Sequence, residues 1–146
     1  MPIRVKSGPW DATQVAAWLN QAVIPVRLAT SGKQFPLVQS AWFQYEDGVL
    51  WCATQHDSVL AKRIRRNARI GWEVSGDNPP YRGVRGHGHA ELVMDEAERV
   101  LRALIDRYGQ AGTPLADWLL TRVPTEVAIR IDGLSATSWD FSTRMG

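Results

Sequence analysis

Between Pro79 and Leu92 the chain reads Pro-Pro-Tyr-Arg-Gly-Val-Arg-Gly-His-Gly-His-Ala-Glu-Leu. The paired prolines fix φ, and Pro79 drives Asn78 out of the helical region, so the segment opens as a turn. It continues as a strand, yet Gly83, Gly86, Gly88 and Ala90 stand where a core strand would carry valine or isoleucine. Glycine inside a strand marks a bulge, a bend, or a place where a ligand or a second backbone comes close. Arg82 and Arg85 have opposite parity, so they face opposite sides of the sheet. Cations beside an opened strand point to a bound anion, and hence to a cofactor seat.

The 146 residues, 45% hydrophobic and 22% charged, suffice for one domain with a sizeable core, read here as residues 1–146. Seven tryptophans are many for this length and suit barrel interiors, interfaces or a flat ligand. The formal net charge of +2 excludes a polyelectrolyte role, although Lys62, Arg63, Arg65, Arg66 and Arg69 cluster in one segment. That cluster occupies a single short helix without a helix-turn-helix or RNA-recognition signature, so no nucleic-acid partner is expected. Cys52, the sole cysteine, excludes an internal disulfide and fits a reducing compartment. No apolar leader or membrane-spanning run is present, so the expectation is a cytoplasmic protein without a membrane partner.

Periodicity predicts the elements. Asp11 and Gln14 form a capping box, with Trp10 placed to staple onto Val15, and Val15, Trp18, Leu19 and Ala22 give one apolar helix face. Strands follow at Val26–Thr30 and, as a single alternating run, at Leu37–Tyr45. Glu46-Asp47-Gly48 turns the chain into a strand over Val49–Thr54. A basic helix spans Ser58–Arg66, capped by Asp57 or Ser58, and Ile70, Trp72 and Val74 alternate in the next strand. The long strand runs from Arg82 to Met94. Asp95 and Glu98 predict a second capping box for a helix with the stripe Ala97, Leu101, Leu104, Ile105 and Tyr108, stopped by Gly109. Thr113-Pro114 opens a short helix through Trp118. Val127, Ile129 and Ile131 form a strand, Asp132-Gly133 a turn, and a last strand passes through Trp139 and Phe141. Six to seven mostly antiparallel strands with peripheral helices define an α+β protein built on a small barrel.

Chemistry-bearing residues are sparse. Ala53, Thr54 and Ser58 end a strand and open a helix, where free amides and two hydroxyls can hold a phosphate, with Lys62 and Arg63 one turn further on. Helix capping alone accounts for the same residue types. His87, His89 and Glu91 share a strand face, but their spacing is not that of a zinc site, so no metal is expected. Cys52 lies mid-strand and reads as a small core hydrophobe. No nucleophile elbow, phosphate-binding loop or dinucleotide fingerprint occurs.

Taken in order, the strand ending at Thr54, Ser58 four residues on, the basic helix closing on Arg65-Arg66-Asn67-Ala68-Arg69-Ile70 and the run Tyr81-Arg82-Gly83-Val84-Arg85-Gly86-x-Gly88-x-Ala90-Glu91-Leu92 resemble the pyridoxamine 5'-phosphate oxidase-like, FMN-binding split-barrel family. The likeness runs from about Ile24 to Phe141. It implies a split β-barrel, a homodimer, and a flavin in each groove between subunits. On this resemblance Val38, Gln39, Ser40, Ala41 and Trp42 run along the flavin ring, Ala53, Thr54 and Ser58 hold the phosphate end, and Arg82, Gly83 and Trp139 complete the site, partly from the partner chain. It implies an FMN-dependent oxidoreductase acting on a small molecule; the same fold also carries deazaflavin-dependent reductases and flavin- or haem-binding proteins without catalysis. Two positions depart from the family pattern. Leu60 stands where a phosphate-binding lysine is common, leaving that charge to Lys62 or Arg63, and Val38 replaces the arginine that opens the second strand of the true oxidases.

Overall fold

The computed structural model describes residues 3–145. In chain order its elements are β1 (Arg4–Ser7), α1 (Ala12–Gln21), β2 (Val26–Thr30), β3 (Leu37–Ala41), β4 (Gln44–Glu46), β5 (Val49–Gln55) and α2 (Val59–Arg66). There follow β6 (Arg69–Ser75), β7 (Arg82–Val93), α3 (Ala97–Arg107), α4 (Pro114–Thr121), a 3₁₀ turn (Val123–Thr125), β8 (Glu126–Asp140) and α5 (Ser142–Met145). Seven strands lie on one path in the order β3-β2-β6-β7-β8-β5-β4, all paired antiparallel. β1, which carries no periodic signal in the sequence, adds to β8 in parallel.

The two ends of that path are consecutive in the chain. Only Trp42 and Phe43 separate β3 from β4, so the sheet must curl until its edges come within two residues of each other. The result is a split barrel closed by covalent chain rather than by a hydrogen-bond ladder. The expected single strand over Leu37–Tyr45 is therefore broken at the corner. Phe43 turns inward and is fully buried, and the Tyr108 hydroxyl accepts from Phe43 N (3.1 Å) while donating to the carbonyl of Ile24 (2.8 Å). Alternation could not reveal the break, because Phe43 keeps the apolar parity of the run.

Two further expectations are corrected. Asp132-Gly133 is not a turn between strands: β8 runs through it unbroken, paired with β7 from Arg82↔Asp140 to Val93↔Ala128. Gly133 has φ +59 and the register shifts between His87 and His89, so the residues that read as a hairpin serve a bulge that bends the long ribbon. Nor do Asp95 and Glu98 make a capping box. α3 starts with Glu96 at its N-cap and no side-chain cap bond, and Glu96 is held by Arg99. The other boundaries follow the sequence closely. Asp11 and Gln14 exchange both bonds of their capping box, Ser58 rather than Asp57 caps α2, and α4 continues to Thr121. Asp47 (φ 46) and Gly48 (φ 84) make the two-residue β4–β5 turn.

Inside the barrel Leu28, Phe43, Leu50, Cys52, Val74, Val84, Ile129 and Ile131 are fully buried. α1 plugs one opening through Val15 and Leu19, and Arg107 donates to the carbonyls of Leu19, Asn20 and Ala22 at its C-terminal end. α3 and α4 pack outside β5 and the start of β8, burying Leu101, Ile105 and Ala116 against one another and Val100 and Leu104 against Val49, Trp51 and Ala128.

The glycines of β7 answer to a second backbone. A Cβ on Gly86 would lie 1.8 Å from the carbonyl oxygen of Ser135 on β8, whereas on Gly71 of β6 its nearest neighbour is the Ala29 Cβ at 3.4 Å. Gly86→Ala is expected to cost on the order of 3 kcal/mol, against a change within about 1 kcal/mol for Gly71→Ala, read from urea unfolding midpoints. Equal effects would refute the close approach of β7 and β8.

Candidate cofactor-binding cleft

A cleft of about 430 Å³ opens between the barrel corner and the helices. One wall is Gln39, Ser40, Ala41 and Trp42, carried by β3 and the corner residue after it. The opposite wall is apolar, from Leu101 and Leu104 of α3 and Leu115 and Leu119 of α4. At the polar end lie Ala53 and Thr54 of β5, Ser58 and Leu60 at the start of α2, and Glu126, the first residue of β8.

Local chemistry fixes these groups. Trp42 stacks on Tyr108 with ring centroids 5.1 Å apart and planes at 11°, so the residue that anchors the corner also braces this wall. Thr54 Oγ1 donates to Ser58 Oγ (2.9 Å), which accepts from Ala61 N as the α2 cap (3.0 Å). With both bonds accepted by Oγ, the Ser58 hydroxyl proton is free to point at a ligand. Gln39 Oε1 is buried and has no hydrogen-bond partner among the described residues. A buried acceptor without a partner costs about 1–3 kcal/mol, so the wall has an unfilled demand for a donor.

Glu126 is the member that sequence reasoning missed. It is 7% exposed, and one carboxylate oxygen accepts from Gln55 Nε2. Gln55 is held in turn, accepting from Thr125 Oγ1 (2.6 Å) and donating to the carbonyl of Arg122 (3.2 Å). Burial pushes the Glu126 carboxyl up from the usual range, partly offset by the Gln55 bond and the charge of Arg122. The available signal was an acidic residue directly abutting the alternating strand pattern of Val127, Ile129 and Ile131. Leu101 and Leu104 were visible as a helix stripe, though only as core.

Of the residues marked out in the sequence, Gln39, Ser40, Ala41, Trp42, Ala53, Thr54 and Ser58 come together here, as does Leu60. The others do not. Val38 is 65% exposed and lies on the outer face of the sheet, in a groove with Arg27, Arg85 and His87. Lys62 is exposed, and Arg63 Nη1 reaches the carbonyls of Thr30 (3.4 Å) and Phe35 (3.2 Å), pinning the β2–β3 loop. Arg82 lies over the Trp18 ring (5.5 Å), beside Asp140 at the α1 end of the barrel. Gly83 is buried against Ser75, and Trp139 lies under the Arg85 guanidinium (5.3 Å). The open glycine-rich strand thus seats β8, not the cleft. No cation lines the cleft among the described residues. His87 and His89 are exposed, and no three His, Cys, Asp or Glu side chains come together to hold a metal among the described residues. Nor is any helix there long and apolar enough to cross a membrane.

Neither a family model nor a curated protein matches the sequence. Solved structures do. A conserved hypothetical protein of Mycobacterium tuberculosis (Rv2991) superimposes with a TM-score of 0.76 at 27% identity, over 90% of this chain and 86% of that one. An F420 reductase matches at 0.66 and 24% identity over 78% of this chain and 89% of that one. A Listeria innocua protein provisionally named as a pyridoxamine 5'-phosphate oxidase matches at 0.64 and 19% identity over 82% and 90%. The chain has the fold of the pyridoxamine 5'-phosphate oxidase-like split barrels.

Cys52 is fully buried and its thiol is pushed up to about 12 by desolvation. Because the thiolate is the reactive form, native protein at about pH 8 is expected to give no reaction with a disulfide reagent, and unfolded protein one thiol per chain. Rapid modification of the folded chain would contradict the packing of β5.

Proposed function

We propose that this cleft seats a flavin-type cofactor, FMN or a deazaflavin, and that the protein is an oxidoreductase acting on a small molecule. One observation carries the reading: a cleft with an apolar helix wall, a strand wall that includes Gln39 with its unpartnered oxygen, and two hydroxyls gathered at the α2 start. An isoalloxazine-like ring needs such a slot with donor and acceptor groups along one edge. Its hydroxylated, phosphate-bearing tail needs hydroxyls and helix-start amides. The F420 reductase among the structural neighbours supports the same class of group.

When bound, a flavin or deazaflavin supplies the hydride chemistry itself. This chain's contribution is placement. Trp42, Leu101, Leu104 and Leu119 exclude water from the ring, Gln39 accepts from an N–H at its edge, and Thr54, Ser58 and the first amides of α2 receive the tail. Haem is the weaker reading, because no histidine, cysteine or methionine lines the cleft among the described residues.

We propose further that two copies associate. The outer face of β3-β2-β6-β7 sets Val38, Ala29, Gly71 and His87 in one row and Arg27, Glu73 and Arg85 in the next. Small residues beside alternating charges suit self-pairing about a two-fold axis, where an arginine of one copy meets the glutamate of the other. A second copy would also bring Arg82, Gly83 or Trp139 toward a cleft that one chain leaves open. Light scattering at micromolar concentration is expected to give twice the 16.3 kDa chain mass, and a monomer would remove the partner contribution.

Filling the slot tests the central reading. Leu119→Trp is expected to weaken riboflavin and FMN binding alike by more than about tenfold, roughly 1.4 kcal/mol, in flavin fluorescence titrations, with an unchanged circular dichroism spectrum. Unaltered affinity for both would place the flavin elsewhere or nowhere.

A further inference from the structure

The polar end of the cleft is built unlike an ordinary phosphate site. It offers hydroxyls and the start of α2 but no lysine or arginine, and it includes a carboxylate that is nine-tenths buried. Only one oxygen of Glu126 is bonded, to Gln55 Nε2; the other has no hydrogen-bond partner among the described residues. An ionised carboxylate beside a seated dianion is repulsive at low local dielectric, whereas a protonated one becomes a hydrogen-bond donor.

We propose that Glu126 takes up a proton when an anionic ligand group seats against Thr54, Ser58 and the first amides of α2, and, keeping that proton, donates a hydrogen bond through it to the anion. Glu126 is then a specificity residue: it couples capture of a phosphate-bearing ligand to proton uptake, in place of a fixed cation. The inference rests on the cleft being the cofactor seat.

The surroundings permit this. β5 sets Gln55 opposite Glu126 and bonded to it, while the Thr54 hydroxyl is turned to Ser58; Gln55, Thr54 and Ser58 do not titrate. The end of α4 supplies Arg122, whose guanidinium lies over the Trp118 ring (4.7 Å) and forms no ion pair with Glu126. α2 contributes Ser58, and α3 and α4 line the cleft with leucines. Asp57 is exposed and His56 lines a different cavity, beside Arg65. Glu126 is thus the only titratable side chain lining the cleft among the described residues. Its burial already favours the neutral form, and a bound anion adds to that preference.

The sign follows from linkage. If the complex holds one more proton than the free components, affinity falls as pH rises, by up to about tenfold per pH unit between the free and bound pKa of Glu126. The test is titration of wild type and Glu126→Gln with FMN and with riboflavin, from about pH 4.5, near the ordinary carboxylate range, to about pH 8.5. The amide keeps an acceptor for Gln55 and carries a permanent donor. FMN's own phosphate ionises near pH 6 in both proteins, so that contribution cancels in the comparison. The expected result is FMN affinity that falls with pH in wild type and is flatter and tighter at high pH in the variant. Riboflavin, which lacks the phosphate, should show no slope in either protein. FMN slopes that coincide in the two proteins, with riboflavin bound normally, would overturn the role of Glu126 alone. Failure of wild type to bind either flavin would overturn the cofactor seat and this inference together.

Discussion

Because β3 and β4 are both the edges of the sheet and neighbours in the chain, the barrel depends on how Trp42 and Phe43 turn. That corner is governed by Tyr108. Its hydroxyl accepts from Phe43 N and donates to the Ile24 carbonyl, tying the last turn of the helical region to both flanks of the sheet's seam. Arg107, one residue earlier, lies over the Phe43 ring (5.2 Å) and donates to three carbonyls at the end of α1. Two adjacent residues therefore join α1, the seam and α3. Replacing a half-buried hydroxyl that serves two backbone groups removes a partner from both, which is costlier than losing either bond alone.

The same corner makes the cleft. Trp42 leaves the sheet to stack on Tyr108, and in doing so forms one wall with Gln39, Ser40 and Ala41. α3, set in place by Val100 and Leu104 against Trp51 and Ala128, supplies the other. The cleft is a consequence of closing a sheet through its chain: two strand edges meet without a ladder between them, and the helix that covers the seam leaves a slot. Cleft and scaffold thus share residues, and substitutions at Tyr108 should disturb both.

Much of this was legible in the sequence where local chemistry decides the outcome. The Asp11–Gln14 box, the Asp47-Gly48 turn, the Thr113 cap and the alternation of Ile70, Trp72 and Val74 each specify structure within a few residues. The failures share a different cause. The break at Trp42–Phe43 and the bulge at Asp132-Gly133 are imposed by distant partners, Tyr108 in one case and β7 in the other. Local patterns cannot report them. The glycine-rich strand read as a bulge, a bend or a close approach, and from there as a cofactor seat; the fold shows that the backbone approaching Gly86 is β8. Seven of the marked site residues meet in one cleft because they belong to two strand ends and a helix start; Val38 lies instead in the groove with Arg27 and Arg85, Lys62 is exposed, and Arg63 is bonded to the carbonyls of Thr30 and Phe35. Glu126 escaped notice because a single acidic residue beside an alternating strand pattern carries no motif.

The central claim is that a flavin-type ring lies between the barrel corner and α3, with its tail toward α2. Amide chemical-shift mapping with riboflavin and then FMN addresses it directly. The account predicts shared perturbations at residues 39–42 and 101–104, with additional ones at 54–60 only when the phosphate is present. Perturbations confined to the outer sheet face around Val38, Gly71 and Arg85 would contradict it.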